Sequence, residues 1–206
     1  FGEKAFQNAG ILGVKPHKAK SMLLAPCLVD PHSFLESPFN GDEENVHTLI
    51  EKATRSGYGQ LGILPRGVLW RDQIESIIAL MTIKSEVLLH LWAGFSLNGE
   101  GQNLSKHAEL LRYGAIGLCD DDFMPPIELL KKGFSLREMR KSPVLIAPRD
   151  KSLQAGGMSR QSVDTLRAGW PPDPTESEII PLIQLIELHN QYPEIELRLM
   201  NISTYE

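Results

Sequence analysis

Short apolar runs alternate along this chain with segments of helical period, and that alternation restricts its fold more than any other feature. The runs are Met22 to Val29, Gln60 to Leu64, Glu86 to Ala93, Ala115 to Cys119, Val144 to Ala147 and Ile195 to Ile202, and the first five recur at intervals of roughly 25 to 35 residues. Strand and helix in alternation are the mark of successive βαβ units. Runs that are apolar on both faces suit parallel strands buried on both sides. Polar residues stand at their C-terminal ends, Asp30 and His32 after the first and Asp120 to Asp122 after the fourth. Buried parallel strands that deliver polar groups to one rim predict an α/β fold, a (β/α)8 TIM-type barrel of which about six of the eight strands are present.

The helical segments carry their own signals. Asp42 opens one, with Glu43 and Glu44 in its first turn, Val46, Leu49, Ile50 and Ala53 at helical spacing and Gly57 to stop it. Ile74, Ile77, Ile78 and Met81 mark a second, and Ala108 to Leu111 a third. Two short helices are expected near Ile127 to Lys132 and Leu136 to Arg140. From Pro148 to Pro174 no clear period appears beyond a short helix within Arg160 to Arg167, and a connection of that length is normally a functional loop. Thr175 to Asn190 is the strongest helix, with Thr175 to cap it, Glu178 at the capping-box position and Ile179, Leu182, Ile183 and Ile186 as its apolar face. Pro181 kinks that helix or marks its true start.

Charge and motifs exclude several function classes. A net charge of −5 spread along the chain leaves no basic stripe for phosphates, which argues against nucleic-acid binding. No apolar run approaches the ~20 residues of a membrane span. Cys27 and Cys119 stand alone on separate apolar runs and are expected to be buried free thiols in a reducing cytoplasm. There is no Gly-x-Ser-x-Gly elbow, P-loop or dinucleotide fingerprint.

One stretch, Leu24 to Phe39, carries a more specific pattern. It resembles the first strand of the dihydroorotase branch of the cyclic amidohydrolases, Pro-Gly-(Leu/Ile)-(Ile/Val)-Asp-x-His-x-His-(Leu/Val)-Arg-Glu-Pro-Gly, through Pro26, Val29, Asp30, His32, Leu35 and Pro38. Four further landmarks follow in order. Leu64-Pro65-Arg66-Gly67 stands for Met-Pro-Asn-Thr, and Gly114 to Asp121 for Gly-Ala-Val-Gly-Phe-Ser-Asp-Asp. Pro143 to Asp150 stands for Pro-Val-Met-Val-His-Cys-Glu-Asp, and Leu199 to Thr204 for Ile-Ala-His-Val-Ser-Thr. Glu178 also falls where the intervening loop of that family wants it. The resemblance implies a barrel of the amidohydrolase kind over residues 21–206, with residues 1–20 the remnant of a preceding small β-region. A complete barrel takes about 250 residues, so a fragment is expected.

The family's chemistry is metal-assisted amide hydrolysis. Zinc sits on strand-end histidines with an acidic or carbamylated-lysine ligand after the fourth strand, activates a water and polarises the scissile carbonyl. An Arg and an Asn grip the substrate carboxylate. Carried over residue by residue, His32 stands at the first metal position and Asp120 or Asp121 at the acidic one. Phe34, Ala147 and Asn201 replace the other three histidines. Glu36 and Arg66 replace the substrate-binding Arg and Asn, and Asn201 joins them as a candidate substrate contact. Phe and Ala offer no lone pair, and an amide oxygen is a poor zinc donor beside imidazole. His32 with a carboxylate falls short of the three protein ligands typical of catalytic zinc.

These losses point to a pseudoenzyme, a catalytically impaired dihydroorotase-like protein of pyrimidine biosynthesis. Its expected role is to support a partner such as aspartate carbamoyltransferase, or to bind a small-molecule ligand in the old pocket. The competing reading is an active zinc-dependent cyclic amidohydrolase interconverting dihydroorotate and N-carbamoyl-aspartate, with a metal site rebuilt from His32, Asp120 or Asp121 and residues beyond Glu206. Under either reading a cytoplasmic homo-oligomer is expected. Local roles compete as well. His32 can be a hydrogen-bonded structural group, Asp120 to Asp122 a cap ahead of Met124, and Glu36 with Arg66 an ion pair across the pocket.

Overall fold

The computed structural model of the chain describes residues 3–13, 25–36, 44–67, 70–139 and 141–205. Helix α1 (Glu3–Ile11) precedes strand β1 (Leu28–Ser33), which is followed by α2 (Val46–Arg55), β2 (Tyr58–Ile63), α3 (Ile74–Met81), β3 (Leu88–Gly94), α4 (His107–Arg112), β4 (Ala115–Cys119), α5 (Ile127–Leu136) and β5 (Val144–Ile146). An excursion then holds α6 (Lys151–Gln154), β6 (Ser159–Arg160), α7 (Val163–Arg167) and β7 (Pro172–Asp173) before α8 (Glu176–Gln191) and β8 (Leu197–Leu199). Six strands form one curled parallel sheet in the order β1-β2-β3-β4-β5-β8, a half-barrel, and β6 and β7 pair separately. The five later barrel strands fall on their expected runs, whereas β1 is Leu28–Ser33 and not Met22 to Val29: residues 25–27 are not strand, and 22–24 lie outside the described residues.

Alternation along the strands separates two faces. Ile63, Leu91, Ala93, Leu118, Val144 and Ile146 pack with Ile77, Leu80, Leu110, Leu130, Phe134, Leu185 and Leu188 of the helices into the main core. On the other face Leu64, Trp92, Cys119, Leu145, Ala147 and Met200 form a second cluster inside the curl. Close approach of neighbouring strands needs glycine here: a Cβ on Gly117 would lie 2.4 Å from the Pro143 carbonyl oxygen and 2.5 Å from the Trp92 ring.

Several local expectations are corrected. Asp42 lies outside the described residues, and the start of α2 is capped by Asn45, whose side-chain oxygen accepts the N–H groups of His47 and Thr48 while Thr48 Oγ1 accepts the Asn45 N–H. The first of the two short helices expected after β4 runs on to Leu136, because Gly133 serves close packing rather than termination, and where the second is expected residues 137–139 form a turn. A Cβ on Gly133 would sit 2.5 Å from the Phe95 ring, and the stop comes at Arg137 in the left-handed conformation. Residues 3–11 are helical, while 14–24, with the start of the first expected strand, lie outside the described residues. Cys27 is exposed and only Cys119 is buried. His107, on α4, is buried against Phe95, with its Nε2 2.7 Å from the Phe95 carbonyl oxygen.

Helix α8 departs most from its sequence pattern. Thr175 makes no side-chain cap, and Ile183 and Ile186 are exposed, whereas Ser177, Glu178, Pro181, Leu185 and Leu188 are buried. The rotation of the helix is set by Glu178, which reaches Arg160 and the backbone after β8 instead of its own N-terminus. Pro181 sits inside the helix without breaking it. The Ser177 carbonyl, which an N–H at position 181 would have bonded, accepts the Asp150 N–H at 2.9 Å.

Candidate functional site

The C-terminal ends of β1 to β5 and β8 bring together the segments that the sequence singles out. Asp30 does not face the mouth. It accepts the His32 N–H at 3.1 Å and the Ser33 hydroxyl at 2.6 Å, and lines a shallow cleft between β1 and α2. That is the local acceptor role its position suggests. His32 is half-buried, and burial lowers its pKa against the opposing pull of Asp30, so the neutral imidazole is favoured.

Past β1 the chain presents Phe34, whose ring lies 4.4 Å from the Arg66 guanidinium. Arg66 Nε is 3.7 Å from Glu36 Oε1 and 3.7 Å from Asp121 Oδ2, so the ion pair expected between Glu36 and Arg66 forms and extends to a third group. Asp121 adopts a left-handed backbone, φ 59°, which Asp tolerates better than most residues. Burial raises its pKa, with Arg66 acting in the opposite direction. Asn201 Nδ2 donates to Asp122 Oδ1 at 3.0 Å, and Asp122 Oδ2 lies 3.4 Å from Arg149. Two linked ion clusters thus line the mouth.

Asp120 belongs to neither. It is buried, its Oδ1 accepts the Ser96 N–H at 2.9 Å and its Oδ2 the Ser96 hydroxyl at 2.5 Å. Burial raises its pKa while these bonds oppose the rise. Asp120 anchors the loop after β3, and Asp120→Ala is expected to cost about 1.5–3 kcal/mol by stranding the buried Ser96 donors. Urea unfolding with and without added zinc checks this, and a variant as stable as the parent would overturn the assignment.

The zinc ligands implied by the resemblance do not assemble. Among the described residues no group of three or more His, Cys, Asp or Glu side chains is placed to hold a metal ion. His32, Asp120 and Asp121 therefore do not form the expected set. Asp120 is turned to Ser96 and Asp121 to Arg66, and Ala147, where the family has a histidine, packs in the inner apolar cluster. Among the described residues this donor set does not fit a catalytic zinc.

Comparison with known proteins bears on the remaining question. No family model matches the chain. It is 27% identical over 209 residues to a protein of Synechocystis sp. named "Probable dihydroorotase-like protein", covering 90% of this chain and 47% of that protein. Over most of its length the chain is similar to dihydroorotases and a dihydroorotase-like protein. It is also 23% identical over 192 residues to the dihydroorotase of Elusimicrobium minutum, covering 91% of this chain and 44% of the relative. The dihydroorotase of Syntrophus aciditrophicus is 27% identical over 164 residues, 77% of this chain and 38% of the relative. The chain spans about half the length, or less, of these curated relatives. Among the described residues no helix is long and apolar enough to cross a membrane.

The structure adds residues that sequence reasoning missed. Arg71 is 1% exposed and joins two strand ends, with Nε donating to the Trp92 carbonyl at 3.2 Å and Nη2 to the Ile63 carbonyl at 3.1 Å. Ahead of an amphipathic helix it looked like an ordinary surface charge. Trp92 and His90, on β3, are held by other strands of the sheet. Trp92 Nε1 donates to the Pro31 carbonyl at 3.3 Å, and His90 Nε2 lies 2.9 Å from Gln60 Oε1.

Proposed function

We propose that this chain is part of a dihydroorotase-like protein of the pyrimidine-biosynthesis type whose barrel mouth does not build the hydrolytic zinc centre. It is a cytoplasmic pseudoenzyme that supports a partner, with aspartate carbamoyltransferase the candidate. The observation that carries this reading is the cluster Phe34–Arg66–Asp121 with Glu36. A stacked guanidinium and its two carboxylates occupy strand-end positions where the resemblance puts a metal ligand and the substrate-binding groups. A carboxylate already paired with Arg is a weakened donor, and a nearby fixed cation opposes a second one by Coulomb repulsion.

Elemental analysis of the full-length protein, purified without chelator or histidine tag and then incubated with zinc, tests the reading. The expected result is metal far below one equivalent per chain, together with copurification of a carbamoyltransferase. Near-stoichiometric zinc, with dihydroorotate hydrolysis lost on chelation and in His32→Ala, would instead establish a hydrolase with a rebuilt site.

A further inference from the structure

The excursion after β5 is built inside out. A surface helix normally turns its apolar side chains to the core and its polar ones to water. In α7 the buried residue is Thr165, whose hydroxyl donates to the Arg160 carbonyl at 2.7 Å and whose N–H is capped by the Ser162 hydroxyl at 3.0 Å. The apolar residues face the solvent instead. Val163 and Leu166, one turn apart on α7, Trp170 just past its end and Met158 just before β6 are between 59% and 80% exposed. Backbone bonds gather them. The Trp170 N–H donates to the Thr165 carbonyl at 3.2 Å, which folds Trp170 back toward the helix, and the Met158 N–H donates to the Pro171 carbonyl at 2.9 Å, which sets Met158 beside Trp170. Single exposed apolar residues need no explanation, but four drawn together form the kind of patch that marks an interaction site.

The patch is displayed on a fixed base. β6 and β7 pair directly, and a Cβ on Gly157 would lie 2.5 Å from the Asp173 Cα, so the two segments are as close as backbones allow. Arg160 donates to the Pro174 carbonyl at 3.1 Å and the Ser177 hydroxyl at 2.9 Å. A surface held in this way loses little conformational freedom when a partner docks.

The charges beside the patch indicate the occupant. Asp164 and Arg167 are both exposed on α7, and within one copy Arg167 Nη1 is 3.8 Å from Asp164 Oδ1, a surface contact that contributes little. One acid and one base on the same short helix are complementary to themselves. Two α7 helices laid antiparallel about an axis next to Leu166 set Asp164 of each copy against Arg167 of the other, the arrangement of an isologous two-fold interface. The four apolar side chains expose roughly 500 Å² per copy, within the range of a functional patch. Pairing therefore buries about 1,000 Å² in total, the lower bound for a specific interface.

We propose that the face formed by Met158, Val163, Leu166 and Trp170 is a docking surface for a second copy of this chain, paired two-fold through antiparallel α7 helices. The inference goes beyond the reading above and does not rest on it, because the surface needs neither a metal nor a ligand at the barrel mouth.

Sedimentation equilibrium of the full-length protein over a range of concentrations tests the pairing. The parent is expected to form a dimer that dissociates in the micromolar range. Leu166→Glu is expected to raise the dissociation constant by on the order of 10- to 100-fold by placing carboxylates in the apolar centre. Asp164→Arg is expected to weaken the dimer about 10-fold by setting arginines against each other, and Asp164→Arg combined with Arg167→Asp to recover most of that loss. The altered positions are exposed, and circular dichroism reads whether each variant keeps the fold; if Leu166→Glu does not, the charge-reversal series gives the answer. A parent that stays monomeric, a dimer that Leu166→Glu leaves intact in a folded protein, or a double variant no tighter than Asp164→Arg alone would overturn the proposal. So would a monomer that uses the patch to bind neutral or anionic lipid vesicles. Zinc content, which tests the pseudoenzyme reading, enters none of these outcomes.

Discussion

Glu178→Gln is expected to destabilise the half-barrel by about 3–5 kcal/mol, the range for breaking one side of a buried ion pair. Glu178 is 2% exposed. Its carboxylate takes the Ser203 N–H at 3.0 Å, the Thr204 N–H at 2.8 Å, the Ser203 hydroxyl at 2.9 Å and the Arg160 guanidinium. Arg160 in turn holds Asp173 at 3.2 Å and the Ser177 hydroxyl at 2.9 Å. One carboxylate therefore ties α8, the excursion after β5 and the segment after β8 together, and that segment follows directly on Asn201 at the mouth. An amide keeps the size but offers one acceptor oxygen and adds two donors where donors already converge. Denaturant unfolding checks the loss, and a Glu178→Gln protein within about 0.5 kcal/mol of the parent, the scatter of surface substitutions, would show that the cluster is not structural.

The same group predicts an acid transition. Burial alone would raise the Glu178 pKa, but the hydrogen bonds from Thr204 and Ser203 together outweigh it and bring it from an ordinary 4.5 to about 2. The folded value lies below the unfolded one, so the stabilisation is complete above pH ~4.5 and is lost as pH falls toward 2. A shift of that size corresponds to about 3 kcal/mol, consistent with the cost assigned to the substitution. Glu178→Gln should therefore flatten the fall of stability between pH 5 and 2 that the parent shows.

Phe134→Ala is expected to cost about 3–5 kcal/mol, the range for truncating a buried aromatic. Phe134 is fully buried on α5. It meets Phe95 edge-on at 6.4 Å and Tyr192 at 6.0 Å between ring centroids. Phe95 lies directly before Ser96, whose N–H and hydroxyl hold Asp120. The cavity should therefore loosen the loop after β3 as well as lower the melting temperature. Hydrogen exchange at the Ser96 amide reads the first effect and calorimetry the second. A protein with the parent's melting temperature would mean that α5 collapses onto the space left, against the close packing seen at Gly133.

Parallel strands carry their signature in local sequence, because a strand covered on both faces must be apolar at every position. That is why β2 to β5 lie where their apolar runs predict and why Ala115–Cys119 is matched residue for residue. The Glu36–Arg66 pairing was legible for a different reason: opposite charges at two positions that the resemblance places near each other. The strand-end motifs also sufficed to show the resemblance to dihydroorotases.

Other features were set by distant groups. The apolar stripe Ile179, Leu182, Ile183 and Ile186 is a sound helical pattern. The helix is nevertheless turned so that Ile183 and Ile186 face out, since the buried Glu178 must meet Arg160 and the backbone of Ser203 and Thr204. Asp120 and Asp121 are adjacent in the chain, yet the buried Asp120 side chain turns to Ser96 and that of Asp121 to Arg66. Both lie past the end of β4, Asp121 in a left-handed backbone, and only the fold says what each meets. Arg71 is the clearest case. In sequence it is a charge ahead of a helix, and its burial follows solely from two carbonyls on strands β2 and β3 that the chain brings together across 8 and 21 residues. Local sequence thus determined the strands, the helices and the family likeness, because backbone period and apolar content are properties of neighbours. The tertiary structure alone decided which polar groups are buried and what they meet, because desolvation and hydrogen-bond partners depend on residues far along the chain.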